Sequence, residues 1–188
     1  GDVSIDNVKS PSVRSFPSFS NLRFVSGDLH ISGVDGFNEI GGFDSLEMVG
    51  AGRTATGTGS GGSLRLMNLT PPNTTCSDVG VQSITGFRSL AYTTYLIVTD
   101  NDLLEEFYNF GAGADVSALD PAYVSVPSSF SGDVYIPGGV NIHDNGGLSC
   151  ANPPSDAQRC EICDASESMS YSACVQPPVG NGGTCDLG

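Results

Sequence analysis

Apolar residues recur at every third position in several stretches of the chain. These runs do not predict amphipathic helices, because the apolar face of a helix requires steps of three and four in alternation. Strict steps of three suit short extended arcs with corners, or 3₁₀ turns, in which every third side chain returns to the same side. The runs are Val13, Phe16, Phe19, Leu22 and Val25; Ile40, Phe43, Leu46 and Val49; Val81, Ile84, Phe87 and Leu90; and Leu104, Phe107 and Phe110.

A second pattern is a short stretch of alternating apolar and polar residues, often opened by Gly-Asp. Such stretches occupy 1–5, 27–31, 62–66, 94–98 and either 132–136 or 138–142. Alternation predicts a strand with its apolar side chains on one face and the intervening side chains on the other. The side chains predicted to face outward are Ser4, His30, Arg65, Ile97, Tyr135 and Asn141.

The two patterns together form a repeating unit of strand, corner, arc and corner, which is one turn of a solenoid. A single turn cannot bury its own apolar face, so neighbouring turns stack and the core runs along the axis. We therefore expect a mainly β fold with loop insertions over 50–61 and 67–80. A helix is compatible with the pattern only over 101–110 and in the tail near 155–170.

Charge and composition remove several classes of function. Seven basic residues face 21 acidic ones in the 188-residue chain, so the formal net charge is −14. Phosphate backbones and anionic membrane surfaces repel such a chain, which argues against a nucleic-acid partner. With 38% hydrophobic and only 15% charged residues, the chain is too apolar for a disordered acidic tail, and its apolar runs are too short to span a bilayer. The chain does not begin with Met, so we expect either a removed leader or an excerpt of a longer protein.

Cysteines and glycosylation sequons predict a secreted or cell-surface protein. Five of six cysteines lie at or after residue 150, so we divide the chain into a repeat domain over 1–149 and a cysteine-rich tail over 150–188. Clustered cysteines in a short acidic chain are typical of disulfide-bonded extracellular proteins. Asn68 and Asn73 each begin an N-glycosylation sequon. The cysteines are Cys76, Cys150, Cys160, Cys163, Cys174 and Cys185.

The Cys160-Glu-Ile-Cys163 spacing has three interpretations. A redox motif requires a thioredoxin-like βαβ context, which the pattern lacks. A zinc site with Cys174 and Cys185 requires free thiolates in a reducing compartment. Structural disulfides in a tail without its own core are the favoured interpretation. Five tail cysteines cannot all pair with one another, so one must reach Cys76, reach another chain or stay free.

The triplet run Ile40-x-x-Phe43-x-x-Leu46-x-x-Val49, with strands of the Gly-x-Leu-x-Ile type, resembles the receptor L domain. The stretch from Val140 to Cys150 resembles the last turn of that domain, where an Asn-x-x-Leu step runs into a cysteine-rich segment. This leucine-rich-repeat-like module occurs in insulin and EGF receptor ectodomains and in sporulation-specific fungal cell-wall proteins. The resemblance covers roughly residues 1–150. It implies a right-handed parallel β-solenoid with an extracellular binding or structural role and no catalytic activity.

The sequence therefore predicts a protein that functions by binding through its surface rather than by catalysing a reaction. The first hypothesis is a structural or adhesive glycoprotein whose solenoids associate with one another, head to tail into a filament or as a surface layer. The alternative is the ligand-binding ectodomain of a receptor or wall-anchored protein that binds another extracellular protein. Its possible contact face comprises His30, Arg65, Tyr135 and Asn141.

Catalytic and metal-binding interpretations are weaker. Asp28 and Asp133 could form a carboxylate pair acting on polysaccharide, but each follows a glycine at a strand start, which is typical of turn-forming aspartates. The two histidines, His30 and His143, are expected on the surface. We expect no cofactor. Ca²⁺ is conceivable only in the acidic stretch 100–106, which lacks the order of ligands found in an EF-hand and favours a solvated turn.

Overall fold

The computed structural model describes residues 1–9, 16–50, 61–69, 80–101, 103–104, 106–107, 110–121, 123–124, 126, 128, 134–143 and 145. These residues form a mainly β structure with parallel sheets, which confirms the predicted class. Helix in this part of the chain is limited to a 3₁₀ turn at Val116–Ala118. The stretch 101–110, where a helix was compatible with the pattern, contains a strand at Glu106–Phe107. No helix within the described ranges is long and apolar enough to cross a membrane.

Eleven strands, all pairing in parallel, are present in the described residues, and they form three sheets. In chain order they are β1 (Val3–Asp6), β2 (Phe24–Val25), β3 (Leu29–Ser32), β4 (Glu39–Ile40), β5 (Met48–Val49), β6 (Ser63–Met67), β7 (Ser83–Ile84), β8 (Tyr92–Thr93), β9 (Tyr95–Thr99), β10 (Glu106–Phe107) and β11 (Gly139–His143). Sheet A has the order β1-β3-β6-β9-β11, sheet B the order β10-β7-β4, and sheet C the order β2-β5-β8.

From β3 onward the chain visits the three sheets in a constant order. It passes from sheet A to sheet B to sheet C and back to sheet A, through β3-β4-β5, then β6-β7-β8, then β9-β10. The third passage reaches sheet C at Tyr135, which forms a single parallel bridge with Tyr92, and then enters β11. Each strand pairs with its counterpart from the neighbouring passage, so equivalent sequence positions lie side by side.

The alternating stretches form sheet A as the pattern predicts. Their apolar residues face inward in two columns, one of which runs through Ile31, Leu66, Val98 and Ile142. Between the two candidate stretches for the last strand, the structure selects the second, because β11 spans Gly139–His143. Inward columns of this kind place apolar side chains directly against one another along the sheet, which stabilises parallel pairing of buried strands.

The triplet-spaced residues lie in the same hydrophobic core as the inward side of sheet A. Phe43 is completely buried and stacks between Phe19 and Phe87, with ring centroids 4.9 and 5.1 Å away. The next ring, Phe110, lies 6.3 Å from Phe87. One aromatic ring per passage therefore forms a continuous column, which fills the space where the chain turns from sheet B toward sheet C.

A corner with left-handed backbone conformation ends each described passage through sheet A. Asn7, Gly33, Asn68 and Asp100 occupy equivalent positions and have φ angles of 56°, 58°, 49° and 58°. Glycine adopts this conformation without a steric penalty, and asparagine and aspartate tolerate it better than other residues because their short side chains bond locally. The turn that the chain makes at this corner therefore explains why glycine, asparagine or aspartate occupies the position.

Two buried asparagines connect neighbouring passages, and the first of them, Asn101, directly follows the corner at Asp100. The Asn101 carboxamide accepts from the Leu69 amide at 3.0 Å and donates to the Leu66 carbonyl at 3.1 Å and to Asn145 Oδ1 at 2.8 Å. Asn145 in turn donates to the Val98 carbonyl at 2.9 Å. Both side chains are fully buried, so their amides satisfy backbone groups that water cannot reach.

Candidate functional site

The outward face of sheet A carries a row of five predicted residues in register. Ser4 pairs with His30, His30 with Arg65, Arg65 with Ile97 and Ile97 with Asn141. Three of the four residues proposed as a contact face, His30, Arg65 and Asn141, therefore lie in one row across sheet A. The alternation rule was sufficient to place them, because all five lie at the same position of the strand repeat.

Polar side chains near this row bond mainly to groups on the same strand or on a neighbouring strand of the sheet. Asp28 Oδ1 accepts from the Ser63 amide at 2.7 Å, and its other oxygen lies 4.0 Å from Arg65 Nη2. Hydrogen bonds donated by Ser32 and Ser4 lower the pKa of the Asp6 carboxyl. Because these carboxylates bond to the scaffold, the arrangement fits the turn-forming interpretation of Asp28; its proposed partner in catalysis, Asp133, lies outside the described residues.

Two nitrogen atoms of the row have no hydrogen-bond partner within the described residues. They are Nε2 of His30 and Nε of Arg65, which are covered by neighbouring side chains although each residue remains partly exposed. The side chain of Arg65 is 41% exposed, so its guanidinium can contact a partner together with the neighbouring His30 imidazole.

Tyr135, the fourth residue of the proposed contact face, lies elsewhere. Only 8% of Tyr135 is exposed, and it sits at the end of sheet C beside Tyr92, with the ring centroids 6.1 Å apart. Tyr135 therefore contributes to sheet C through its bridge with Tyr92, and the outward position on sheet A is taken by Asn141. A buried tyrosine cannot serve as an exposed anchor, so this part of the expectation is corrected.

A second, smaller core explains why Tyr135 is buried. The outward side chains of sheet C, Met48, Tyr92 and Tyr135, pack with Val124 under a covering segment formed by the described residues between 116 and 126. The Tyr92 hydroxyl lies 3.0 Å from Thr94 Oγ1, and burial raises the pKa of the Tyr92 phenol despite that hydrogen bond. Sheet C is therefore apolar on both faces, one toward the main core and the other toward this covering segment.

The covering segment stops short of the first strand of sheet C and leaves a groove. This groove has a volume of about 440 Å³ and lies between β2, β5 and residues 118–123. Phe24 and Tyr123 are on its two sides and are 51% and 54% exposed, while Met48 and Leu119 contribute apolar surface between them. Of the three exposed large apolar or aromatic side chains in the described ranges, two therefore flank the groove.

An ion pair lies along the rim of the groove. Arg23 donates from Nε and Nη2 to Glu47 Oε1 at 2.8 and 2.5 Å, and its guanidinium carbon lies 5.2 Å from the centroid of the Phe24 ring. The Asp120 carbonyl accepts from the Tyr123 and Val124 amides, which fixes the turn that presents the Tyr123 ring. The groove thus combines positioned aromatic rings with charged groups that are held by bonds within the chain.

Sequence reasoning did not identify this groove, although a signal was present. Each strand of sheet C has large apolar or aromatic residues at its outward positions, Phe24, Met48 and Tyr92, next to inward residues of the triplet pattern. Neighbouring residues that are both apolar or aromatic in a strand indicate that both faces are covered. That observation predicts a covering layer over sheet C, and an incompletely covered end is where a groove can form.

Some of the remaining predicted sites lie within the described residues, and others lie outside them. Asn68 is exposed at its left-handed corner. Asn101, in the acidic stretch considered for Ca²⁺, has its carboxamide in the buried network. Within the described ranges no group of three or more His, Cys, Asp or Glu residues is placed to hold a metal ion. The sites outside the described residues are Asn73, Cys76, Cys150, Cys160, Cys163, Cys174 and Cys185, together with the whole 150–188 tail.

The chain matches no protein-family model, no curated protein and no solved structure. Its function is therefore inferred from the geometry of its own residues.

Proposed function

We propose that the chain is a right-handed parallel β-solenoid similar to the receptor L domain and that it acts outside the cell. The constant order in which the chain visits sheets A, B and C supports a coil whose turns pair in parallel. The column of ring contacts from Phe19 to Phe110, stacked as far as Phe87 and tilted at Phe110, supports a core that continues from turn to turn. Solenoids present broad, rigid outer surfaces, and such surfaces are commonly used for binding.

Within this fold, we propose that the chain is a non-enzymatic binding module and that the groove beside β2 is its contact site. The observation that carries this proposal is the pair of exposed rings, Phe24 and Tyr123, on opposite sides of one apolar cavity. Exposed aromatic residues at concave sites are frequent binding hot spots, because they bury a large area at a small cost in side-chain entropy. Concave, mainly apolar sites with a few positioned polar groups are typical of ligand binding.

A double alanine variant tests this function. The purified chain is screened by biolayer interferometry against immobilised extracellular protein domains and polysaccharides. We expect at least one ligand to bind, and we expect Phe24→Ala with Tyr123→Ala to weaken that binding at least tenfold, about 1.4 kcal/mol. Because both side chains are more than half exposed, the variant should retain its thermal unfolding transition.

The chain offers a matched control for the groove. Tyr95 is the third exposed large aromatic residue of the described ranges and lies on sheet A, so Tyr95→Ala removes a similar area at a different place. Equal binding by the wild type and the double variant would contradict the groove as contact site. Loss of binding in Arg65→Ala, with the double variant unaffected, would move the site to the outward row of sheet A.

Association of the solenoids with one another is a second candidate function. Within the described residues, β1 and β11 each have a strand neighbour on one side only, and Val3 and Ile5 of β1 are only partly buried. Strand edges of this kind are templates for pairing with another chain. Head-to-tail pairing would extend the sheets from one molecule to the next and could produce filaments.

A proline placed on the outer edge of β1 tests association. Val3 and Asn7 donate their amides to the β3 side, so the intervening Ser4 amide points to the open edge. We expect sedimentation velocity to show larger species of the wild type as its concentration rises, and we expect Ser4→Pro to abolish them. The control Ser4→Ala should associate like the wild type. A wild-type chain that stays monomeric at high concentration would exclude this function.

A further inference from the structure

We propose that the groove beside β2 binds an uncharged saccharide, with a sugar ring placed against the exposed aromatic rings. This inference rests on the proposed binding function and adds the chemical class of the ligand to it. Three properties of the groove lead to it: its two aromatic sides, its internally paired charges and the polar atoms along its rim.

The shape and lining of the groove suit a ring-shaped ligand with an apolar face. Its volume of about 440 Å³ falls within the range of roughly 300–1,000 Å³ typical of small-molecule sites. Phe24 and Tyr123 each expose about half of their surface, and Met48 and Leu119 make the space between them apolar. The C–H face of a pyranose ring is apolar and flat enough to lie against an aromatic ring, and burying both surfaces removes apolar area from water.

The charges around the groove select against ionic ligands. Arg23 is the basic residue of the groove, and its guanidinium is already bonded to Glu47 and placed over the Phe24 ring. An anion would have to displace Glu47 and approach a chain with a net charge of −14. The net charge and Asp120, which also lines the groove, would attract a cation, but the cation would lie beside the Arg23 guanidinium and would compete with it for the Glu47 carboxylate. A neutral ligand avoids both costs.

Hydroxyl groups complement the polar atoms that remain along the rim. Glu47 binds Arg23 through a single carboxylate oxygen, Oε1, so its second oxygen can accept a hydrogen bond from a ligand hydroxyl. The Ser26 hydroxyl also lines the groove; it accepts a hydrogen bond from the Gly1 amino group and can still donate its own proton to a ligand. A sugar has an apolar face and a hydroxyl edge on one rigid ring. An aliphatic peptide side chain offers only the apolar part, so it would leave the rim groups without new partners.

Methionine methyl groups provide a direct report of binding in the groove. Met48 lines the groove, Met67 lies on sheet A and the third methionine, Met169, lies outside the described residues, so the Met48 methyl signal is the probe and the Met67 signal the internal reference. The full chain labelled with ¹³C-methyl methionine is titrated with maltotriose, cellotriose and tri-N-acetylchitotriose. We expect at least one of these neutral trisaccharides to shift the Met48 signal in a saturable way while the Met67 signal stays in place. Substitution of Met48 by leucine assigns the signal.

Variants and charged ligands decide between the possible outcomes. We expect Phe24→Ala with Tyr123→Ala to weaken saccharide affinity at least about tenfold, and Tyr95→Ala to leave it unchanged within about twofold.

Parallel titrations use trigalacturonate, a deacetylated chitosan trimer and a leucine-rich peptide. The inference is overturned if none of the neutral trisaccharides shifts Met48, or if either charged trimer or the peptide binds more tightly than they do. The proposed binding function would survive these results if an extracellular protein still bound in a manner sensitive to the double variant.

Discussion

Replacing Phe43 by alanine is expected to lower the free energy of unfolding by about 3–5 kcal/mol. The ring is completely buried and is stacked in nearly parallel orientation between Phe19 and Phe87, at interplanar angles of 9° and 4°. Its removal leaves a cavity in the middle of the aromatic column. The backbone around it cannot collapse easily, because the strands on either side are held in register by neighbouring passages.

Urea unfolding followed by circular dichroism measures this loss. Phe43→Leu retains most of the buried volume and should lose clearly less stability than Phe43→Ala. Phe24→Ala removes the same side chain from an exposed position and should change stability by less than about 1 kcal/mol. If Phe43→Ala were no more destabilising than Phe24→Ala, the continuous aromatic core would be refuted, and with it the main support for the solenoid.

Replacing Asn101 by alanine is expected to cost on the order of 3 kcal/mol of unfolding free energy. The substitution leaves the Leu69 amide, the Leu66 carbonyl and the Asn145 carboxamide without the partner that Asn101 provides in a fully buried place. An unsatisfied buried polar group costs more than the hydrogen bond was worth, because the group has been removed from water without compensation.

A matched surface variant separates this effect from a general intolerance of the chain to alanine. Asn38 is an exposed asparagine, and Asn38→Ala should change the urea midpoint very little. Amide hydrogen exchange should show faster exchange of the Leu69 amide in Asn101→Ala than in the wild type. Unchanged stability and unchanged exchange at Leu69 would contradict the asparagine network.

The core of the described structure could be predicted because its rules are local. Alternation assigns the inward face of sheet A, and steps of three assign the ring column that includes Phe43 and Phe87. The outward row containing His30 and Arg65 followed from the same rule. In each case the periodicity of a few neighbouring residues determines which side chains point inward, so no knowledge of distant contacts is needed.

The groove and the burial of Tyr135 depend on contacts between distant segments. Whether an outward side chain of sheet C is exposed is decided by the covering segment, whose only regular element in the described residues is the 3₁₀ turn at Val116–Ala118. Phe24 and Tyr92 occupy equivalent positions on the two strands that flank β5, and Phe24 is exposed while Tyr92 is buried because the covering segment packs over Tyr92 and not over Phe24. A local pattern contains no information about where such a segment ends.

The role of Asn101 was missed for a different reason. The acidic residues around Asn101, including Asp100, favoured the interpretation of this stretch as a cation site. However, Asn101-x-x-Leu104 repeats the Asn-x-x-Leu step that was recognised at Asn145. Comparison of the two steps would have indicated a shared structural position. An asparagine that recurs at a fixed place in a repeat is better explained by backbone hydrogen bonding between passages than by a ligand.

The parallel order of the five strands in sheet A has a mechanical consequence. A pulling force along the strands would shear all the hydrogen bonds of a strand pair at once, whereas a force across the sheet would open them one after another. The molecule should therefore resist tension applied along its strands far better than tension applied across them. A protein that holds surfaces together under load would benefit from attachment points that direct the load along that stronger axis.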